Sequence, residues 1–169
     1  MLRKLFLLTL FLAAAGYSQT NTASANADAT MSLPIAVYTG TGISFGGFMP
    51  GATPGTVVIP ANPLSPRTAS GGVTLVAAHG GDKEMVTVAG EPNASYTFTL
   101  PPDPVSVKLA GNPAVEMTLT DIVYYTGSGS LQLESSGYQY VYFGGTLNVA
   151  ADQLKGSYWG SFEITATYQ

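Results

Sequence analysis

Tyr96-Thr97-Phe98-Thr99-Leu100-Pro101-Pro102-Asp103-Pro104-Val105-Ser106-Val107-Lys108-Leu109-Ala110-Gly111-Asn112-Pro113-Ala114-Val115-Glu116-Met117-Thr118-Leu119 is the stretch on which the fold is decided. Apolar residues fall on every second position in three arms: Tyr96, Phe98 and Leu100; Val105, Val107 and Leu109; Val115, Met117 and Leu119. Side chains of an extended chain point alternately to opposite faces, so each arm reads as a strand with one buried face and one wet face. Pro101, Pro102 and Pro104 have no amide proton for a ladder, so they mark a crossing between strands. Working outward, the same pattern places strands near 33–38, 56–60, 72–78, 84–89, 131–135, 138–143, 146–149 and 157–168. Turn-forming breaks separate them at 60–63, 70–72, 80–82 and 127–129. Residues 65–68 read as an exposed loop tip. No window after the first 18 residues holds helical spacing over three turns. The expectation is an all-β protein, a single antiparallel sandwich.

Composition narrows the function. The 169 residues are 46% hydrophobic and only 9% charged, against about 25% charged in an ordinary soluble domain. The length fits one domain, and apolar residues this numerous argue against disorder. Six basic residues against ten acidic ones give a net charge of −4. With no basic cluster to neutralise phosphates, nucleic-acid binding is excluded. There is no cysteine, hence no disulfide and no thiolate site, and His79 is the only histidine. His79 reads as a turn residue. Asp82 and Glu84 beside it lack the alternating acids of a helix–loop–helix calcium loop. The paired glycines open no helix and so cradle no anion. The expectation is no catalytic residue, no metal ligand and no cofactor.

The N-terminus reads as a signal peptide over 1–18. Arg3 and Lys4 precede an apolar run from Leu5 to Ala15, with Gly16 and Ser18 placed for cleavage before Gln19. The run is shorter than the roughly 20 residues of a membrane span, so no membrane span is expected after cleavage. Removing two basic residues and no acid takes the charge from −4 to −6. The chain is therefore read as exported.

Three further segments carry the candidate sites. Over 19–31, Ala23, Ala25, Ala27, Ala29 and Met31 alternate with polar residues. This is either a flexible leader or an extended strand with a narrow small-residue face. At the C-terminus, Tyr158, Gly160, Phe162, Ile164, Ala166 and Tyr168 share one face of a long alternating segment. An edge of this kind needs protection or a partner strand from another chain. Tyr138, Tyr140 and Tyr142 form an aromatic stripe opposite Val141 and Phe143. Such stripes pack on a core or a partner, or stack on sugars.

Phe143-Gly144-Gly145-Thr146-Leu147, followed by residues 156–168, resembles the closing signature of a secreted bacterial β-sandwich family of unknown function. That family is similar to spore coat protein U and to chaperone–usher pilins. Ile43-Ser44-Phe45-Gly46-Gly47 resembles its early Phe-Gly element. The penultimate Tyr168 and Gly156, fourteen positions from the end, match the pilin pattern. The resemblance implies an incomplete immunoglobulin-like antiparallel sandwich finished by a donated strand, first from a periplasmic chaperone working with an outer-membrane usher. The leader of a related subunit or another copy of the chain then takes its place. In this sequence the implied acceptor edge is Gly156, Tyr158, Gly160, Phe162, Ile164, Ala166 and Tyr168, and the implied donor is Ala23 to Met31. Two features depart from the pilins: there is no disulfide, and four of the donor residues are alanine.

The organisation expected is a signal peptide (1–18), an N-terminal extension (19–31) and one sandwich (32–169). The function expected is a structural subunit of a cell-surface, fimbrial or extracellular fibre that passes through the periplasm. The rival is a secreted adhesin or glycan-binding module using Tyr138, Tyr140 and Tyr142; a secreted hydrolase is more remote.

Overall fold

The structure, a computed structural model, describes Ser24 and residues 26–169. The chain divides into two units, Met1–Met31 and Ser32–Gln169. The expected signal peptide lies outside the described residues, as do Ala23 and Ala25. In the first unit, Ala27, Ala29 and Met31 are exposed and belong to no strand.

Ser32–Gln169 is built from β-strands alone. In chain order they are β1 (Ala36–Tyr38), β2 (Phe48–Met49), β3 (Gly55–Ile59), β4 (Thr68–Gly71), β5 (Thr74–Leu75), β6 (Glu84–Ala89), β7 (Tyr96–Thr99), β8 (Val105–Leu109), β9 (Asn112–Tyr125), β10 (Tyr138–Val149), β11 (Tyr158–Trp159) and β12 (Thr165–Tyr168). Every pairing among them is antiparallel. The main sheet runs β1-β6-β10-β9-β8-β11, and β3, with β4 beyond it, pairs with the far half of β10. Strands β7 and β12 form one small sheet, β2 and β5 another. The result is an open, curled antiparallel sheet that fits an incomplete immunoglobulin-like sandwich.

β10 is the axis of the sheet. Its first half pairs with β6, up to Phe143↔Glu84, and its second half pairs with β3, from Gly145↔Ile59. Gly144 sits where the partner changes. A Cβ there would lie 2.1 Å from the carbonyl oxygen of Ile59, so only glycine lets the two backbones approach. On the other side of β10, the pairing slips by one residue between Gly144 and Thr146. The extra residue is on β9, where Asp121 takes φ 50°, a β-bulge. Its amide donates to the Asp103 carboxylate at 3.1 Å, tying the bulge to the proline crossing.

Two apolar clusters follow from the alternation. One gathers Val86, Val88, Tyr96, Leu119, Ile122, Leu133, Val141 and Phe143 between the main sheet and β7–β12. Within it, Phe98 meets Phe143 edge-on at 5.2 Å between centroids, the arrangement that ring quadrupoles favour. The other gathers Val57, Val73, Met117, Leu147 and Val149, with Phe48 and Leu75 of the β2–β5 pair against it. Phe45 packs on both. Gly46 after it has φ +66°, with the Gly80 carbonyl 2.4 Å from where a Cβ would stand. The early Phe-Gly element thus joins the clusters at a point with room for backbone only.

Several sequence expectations are corrected. Residues 131–135 form no strand; an isolated bridge, Ser95↔Gln132, holds the segment beside β7. The expected strands at 138–143 and 146–149 are one, because β10 stays extended through the glycine pair. Residues 65–68 are more than a loop tip. Thr68 opens β4, and the Arg67 guanidinium is turned inward, donating to the carbonyls of Phe45 at 2.6 Å and Val76 at 3.1 Å.

Candidate functional site: the C-terminal seam

The C-terminal segment is not one continuous strand. It is β11 on β8 and β12 on β7, with residues 160–164 between them outside any strand. The cause lies in the partner. From Thr99 to Lys108 is nine residue steps, but from Thr165 back to Trp159 is only six. The proline crossing adds the difference, and the ladder opens where that loop bulges out. Alternation survives the break: Phe162, Ile164, Ala166 and Tyr168 are half-buried, and the residues between them are exposed. All four pack against the larger cluster, whereas Tyr158 packs against the smaller one. Gly160 is exposed, but a Cβ there would stand 2.5 Å from the Ser106 carbonyl oxygen, and one at Gly156 would stand 2.4 Å from Leu109 Cδ1. Both glycines therefore let this segment lie close on β8.

Beyond β12, on the side away from β7, lies β1. Among the described residues no backbone hydrogen bond joins β1 to β12, and residues 160–164 make no backbone–backbone hydrogen bond at all. This is the seam of the sandwich. Its two flanks carry half-buried apolar side chains, Ile35 and Val37 on one, Phe162, Ile164 and Ala166 on the other. One side chain bridges it. The Tyr168 hydroxyl donates to the Leu33 carbonyl at 2.8 Å and accepts from the Glu91 amide at 2.7 Å. Tyr168→Phe leaves both backbone groups without their partner and is expected to cost about 1 kcal/mol. A urea midpoint checks this, and an unchanged midpoint would show that solvent replaces the hydroxyl without loss.

The β1 flank is held by a carboxylate to which the sequence reading gave no role. Glu84, 3% exposed, accepts from the amides of Gly40 and Gly42 through its two oxygens. Both of its oxygens are thus engaged by backbone amides on the inner side of β6. Its signal was present in the sequence: Glu84 has the strand parity of Val86 and Val88, the core side. Gln139 has the parity of Val141 and Phe143 and is likewise buried, accepting from the Tyr96 hydroxyl at 2.6 Å. Arg67 had no such signal. His79 is exposed and sits in a backbone turn, its amide donating to Val76. Among the described residues no group of three or more His, Asp or Glu side chains is arranged to hold a metal.

Tyr138, Tyr140 and Tyr142 point away from the core. Tyr138 and Tyr140 are more than half exposed and Tyr142 is partly so. Of the expected roles for this stripe, packing on the chain's own core is not met, because Val141 and Phe143 occupy the inner side; contact with a partner or a sugar is left to the outer face.

An all-β open sandwich whose C-terminal seam lacks backbone pairing among the described residues resembles the pilin-like class of structural folds. The chain belongs to the family described as "Domain of unknown function (DUF4402)", whose model matches residues 35–168. This family is related to spore coat protein U and pilin-like proteins, resembles non-catalytic structural proteins, and fits an extracellular or cell-surface protein. No curated protein and no solved structure was found to match the chain significantly.

Proposed function

We propose that the protein is a structural subunit of a cell-surface or extracellular fibre, assembled by strand complementation. The seam is the observation that carries this reading. An extended segment whose backbone finds no partner among the described residues, flanked by half-buried apolar side chains, is the kind of edge that a strand from another chain completes. The acceptor face is Tyr158, Gly160, Phe162, Ile164, Ala166 and Tyr168, with Gly156 at its start. The donor is the alternating stretch Ala23, Ala25, Ala27, Ala29 and Met31 of a neighbouring copy or a related subunit. Before assembly a periplasmic chaperone, working with an outer-membrane usher, fills the same place. Alanine side chains bury little area at about 25 cal/mol per Å². The donated strand therefore gains most from backbone hydrogen bonds, each contributing about 0.5–1.5 kcal/mol.

Size-exclusion chromatography with light scattering on the mature chain, beside a chain lacking residues 19–31, tests this. The mature chain is expected to form a ladder of oligomers or fibres. The shortened chain is expected to stay monomeric and unfold at lower urea. Two equally stable monomers would remove the reading.

A further inference from the structure

β9 ends at Tyr125 while β10 begins at Tyr138, and the first pair between them is Tyr142↔Tyr125. Four residues of β10 therefore run past the end of β9, and the 126–134 loop folds beside them. Between loop and sheet is a cleft of about 580 Å³, within the range of small-ligand sites.

Three tyrosines, Tyr125, Tyr140 and Tyr142, form one wall. Tyr125 stands directly opposite Tyr142, and Tyr140 lies two positions along the same face. Among the described residues none of these rings stacks on another aromatic ring; Tyr125 and Tyr140 are exposed and Tyr142 is partly so. The other wall carries Asn93, Gln132 and Glu134. Among the described residues the Asn93 amide, Gln132 Oε1 and the Glu134 carboxylate make no side-chain hydrogen bond, although Gln132 Nε2 donates to the Asn93 carbonyl at 2.9 Å. The loop is anchored from beneath. Gln139 Nε2 donates to the Ser130 carbonyl at 2.9 Å, while its oxygen is held by the buried Tyr96 hydroxyl. Gly129 donates to the Thr126 hydroxyl at 2.9 Å, so the wall is positioned before any ligand arrives.

From this arrangement we infer that the cleft binds a neutral saccharide, a pyranose stacking its C–H face on the Tyr125/Tyr140/Tyr142 platform while its hydroxyls reach Asn93, Gln132 and Glu134. Charge selects the class. Glu134 is the only carboxylate in the lining, and no lysine or arginine lines it. An anionic ligand would meet a carboxylate on a chain of net charge −4. A purely apolar ligand would strip water from three polar side chains and return no hydrogen bond, whereas a pyranose returns several. An ammonium ligand prefers rings around it, but these rings stand side by side on one sheet face. Tyr138 of the same stripe lies outside the lining.

Saturation-transfer difference NMR on the mature chain tests the inference, and it reads the ligand whether the protein is monomeric or assembled. The probes are lactose, maltose and cellobiose, with sialyllactose and choline chloride for comparison. At least one neutral disaccharide is expected to receive saturable transfer, strongest at ring C–H protons. Tyr140→Ala, at an exposed position, is expected to weaken that binding by roughly tenfold or more, as loss of an aromatic anchor does. Glu134→Gln, on the exposed loop, weakens it less, and Tyr38→Ala, on the same sheet but outside the cleft, leaves it unchanged. Transfer to none of the three sugars overturns the inference, as does transfer that survives Tyr140→Ala. So does tighter binding of sialyllactose or choline than of every neutral sugar.

Discussion

Glu84→Ala is expected to lower the unfolding free energy by roughly 2–5 kcal/mol. In a domain of this size that is a fall of about 5–15 °C in Tm. The carboxylate is buried on the core side of β6, and each oxygen takes one backbone amide, from Gly40 and from Gly42. Those amides lie just past β1, where the chain turns off β6 and can no longer use the ladder. Truncation to alanine removes the shared acceptor of an exposed glycine, Gly40, and a half-buried one, Gly42, and opens a cavity of side-chain size at the buried Glu84 position. Glu84→Gln separates the two contributions. An amide keeps one acceptor for one glycine but turns a donor toward the other, so an intermediate loss is expected. Urea unfolding of the three proteins, with hydrogen exchange at Gly40 and Gly42, checks the ranking. A loss under about 0.5 kcal/mol for the alanine variant, the range of ordinary surface changes, would mean that the carboxylate is not the clamp. Because β1 is one flank of the seam, a loosened β1 is also expected to weaken assembly of the mature chain.

The physical reason that the fold was largely legible is that parity survives packing. Tyr96, Phe98, Val107, Met117 and Leu119 all lie in or against the core, as their alternation required. Parity also places Glu84 and Gln139 inside, a reading open from the sequence but passed over because polar residues are usually taken as surface. What the alternation could not show is where a strand changes partner. The long C-terminal segment alternates without interruption, yet its ladder opens at 160–164 because the proline crossing in a different strand is three steps longer. Strand pairing is a relation between two segments, and one segment's pattern does not contain it. The Asp121 bulge was hidden for the same reason. The inward turn of Arg67 has no periodic signature, and the cleft beside Tyr140 depends on where β9 stops.

Stability is expected to fall as the pH rises through about 10, and Tyr96 is the residue responsible. Its ring is wholly buried. Burial, and to a lesser degree neighbouring Tyr124, pushes its phenol well above the ordinary tyrosine range. Below about pH 10 the phenol is protonated in both states, and its contribution is fully present. Above that, the unfolded chain releases the proton while the folded chain holds it, so the folded state binds more protons and loses stability with each further rise. Tyr96→Phe removes this dependence together with the hydroxyl that Gln139 accepts, and is expected to cost roughly 1–3 kcal/mol at neutral pH. Tyr96→Ala also removes the ring that meets Phe98 edge-on at 5.4 Å and is expected to cost about 3–5 kcal/mol. Urea midpoints at about pH 8 and about pH 10.5, below and above the ordinary tyrosine value, separate the effects. The wild type should lose more stability between them than Tyr96→Phe does. The other nine tyrosines are common to both proteins, so the difference belongs to Tyr96, and equal losses would sink the assignment. The same variant reaches the cleft. Without the Tyr96 hydroxyl, Gln139 is released at one end and its hold on Ser130 slackens. Tyr96→Phe is therefore expected to raise hydrogen exchange along the 126–130 loop, 30 to 34 positions from the substitution.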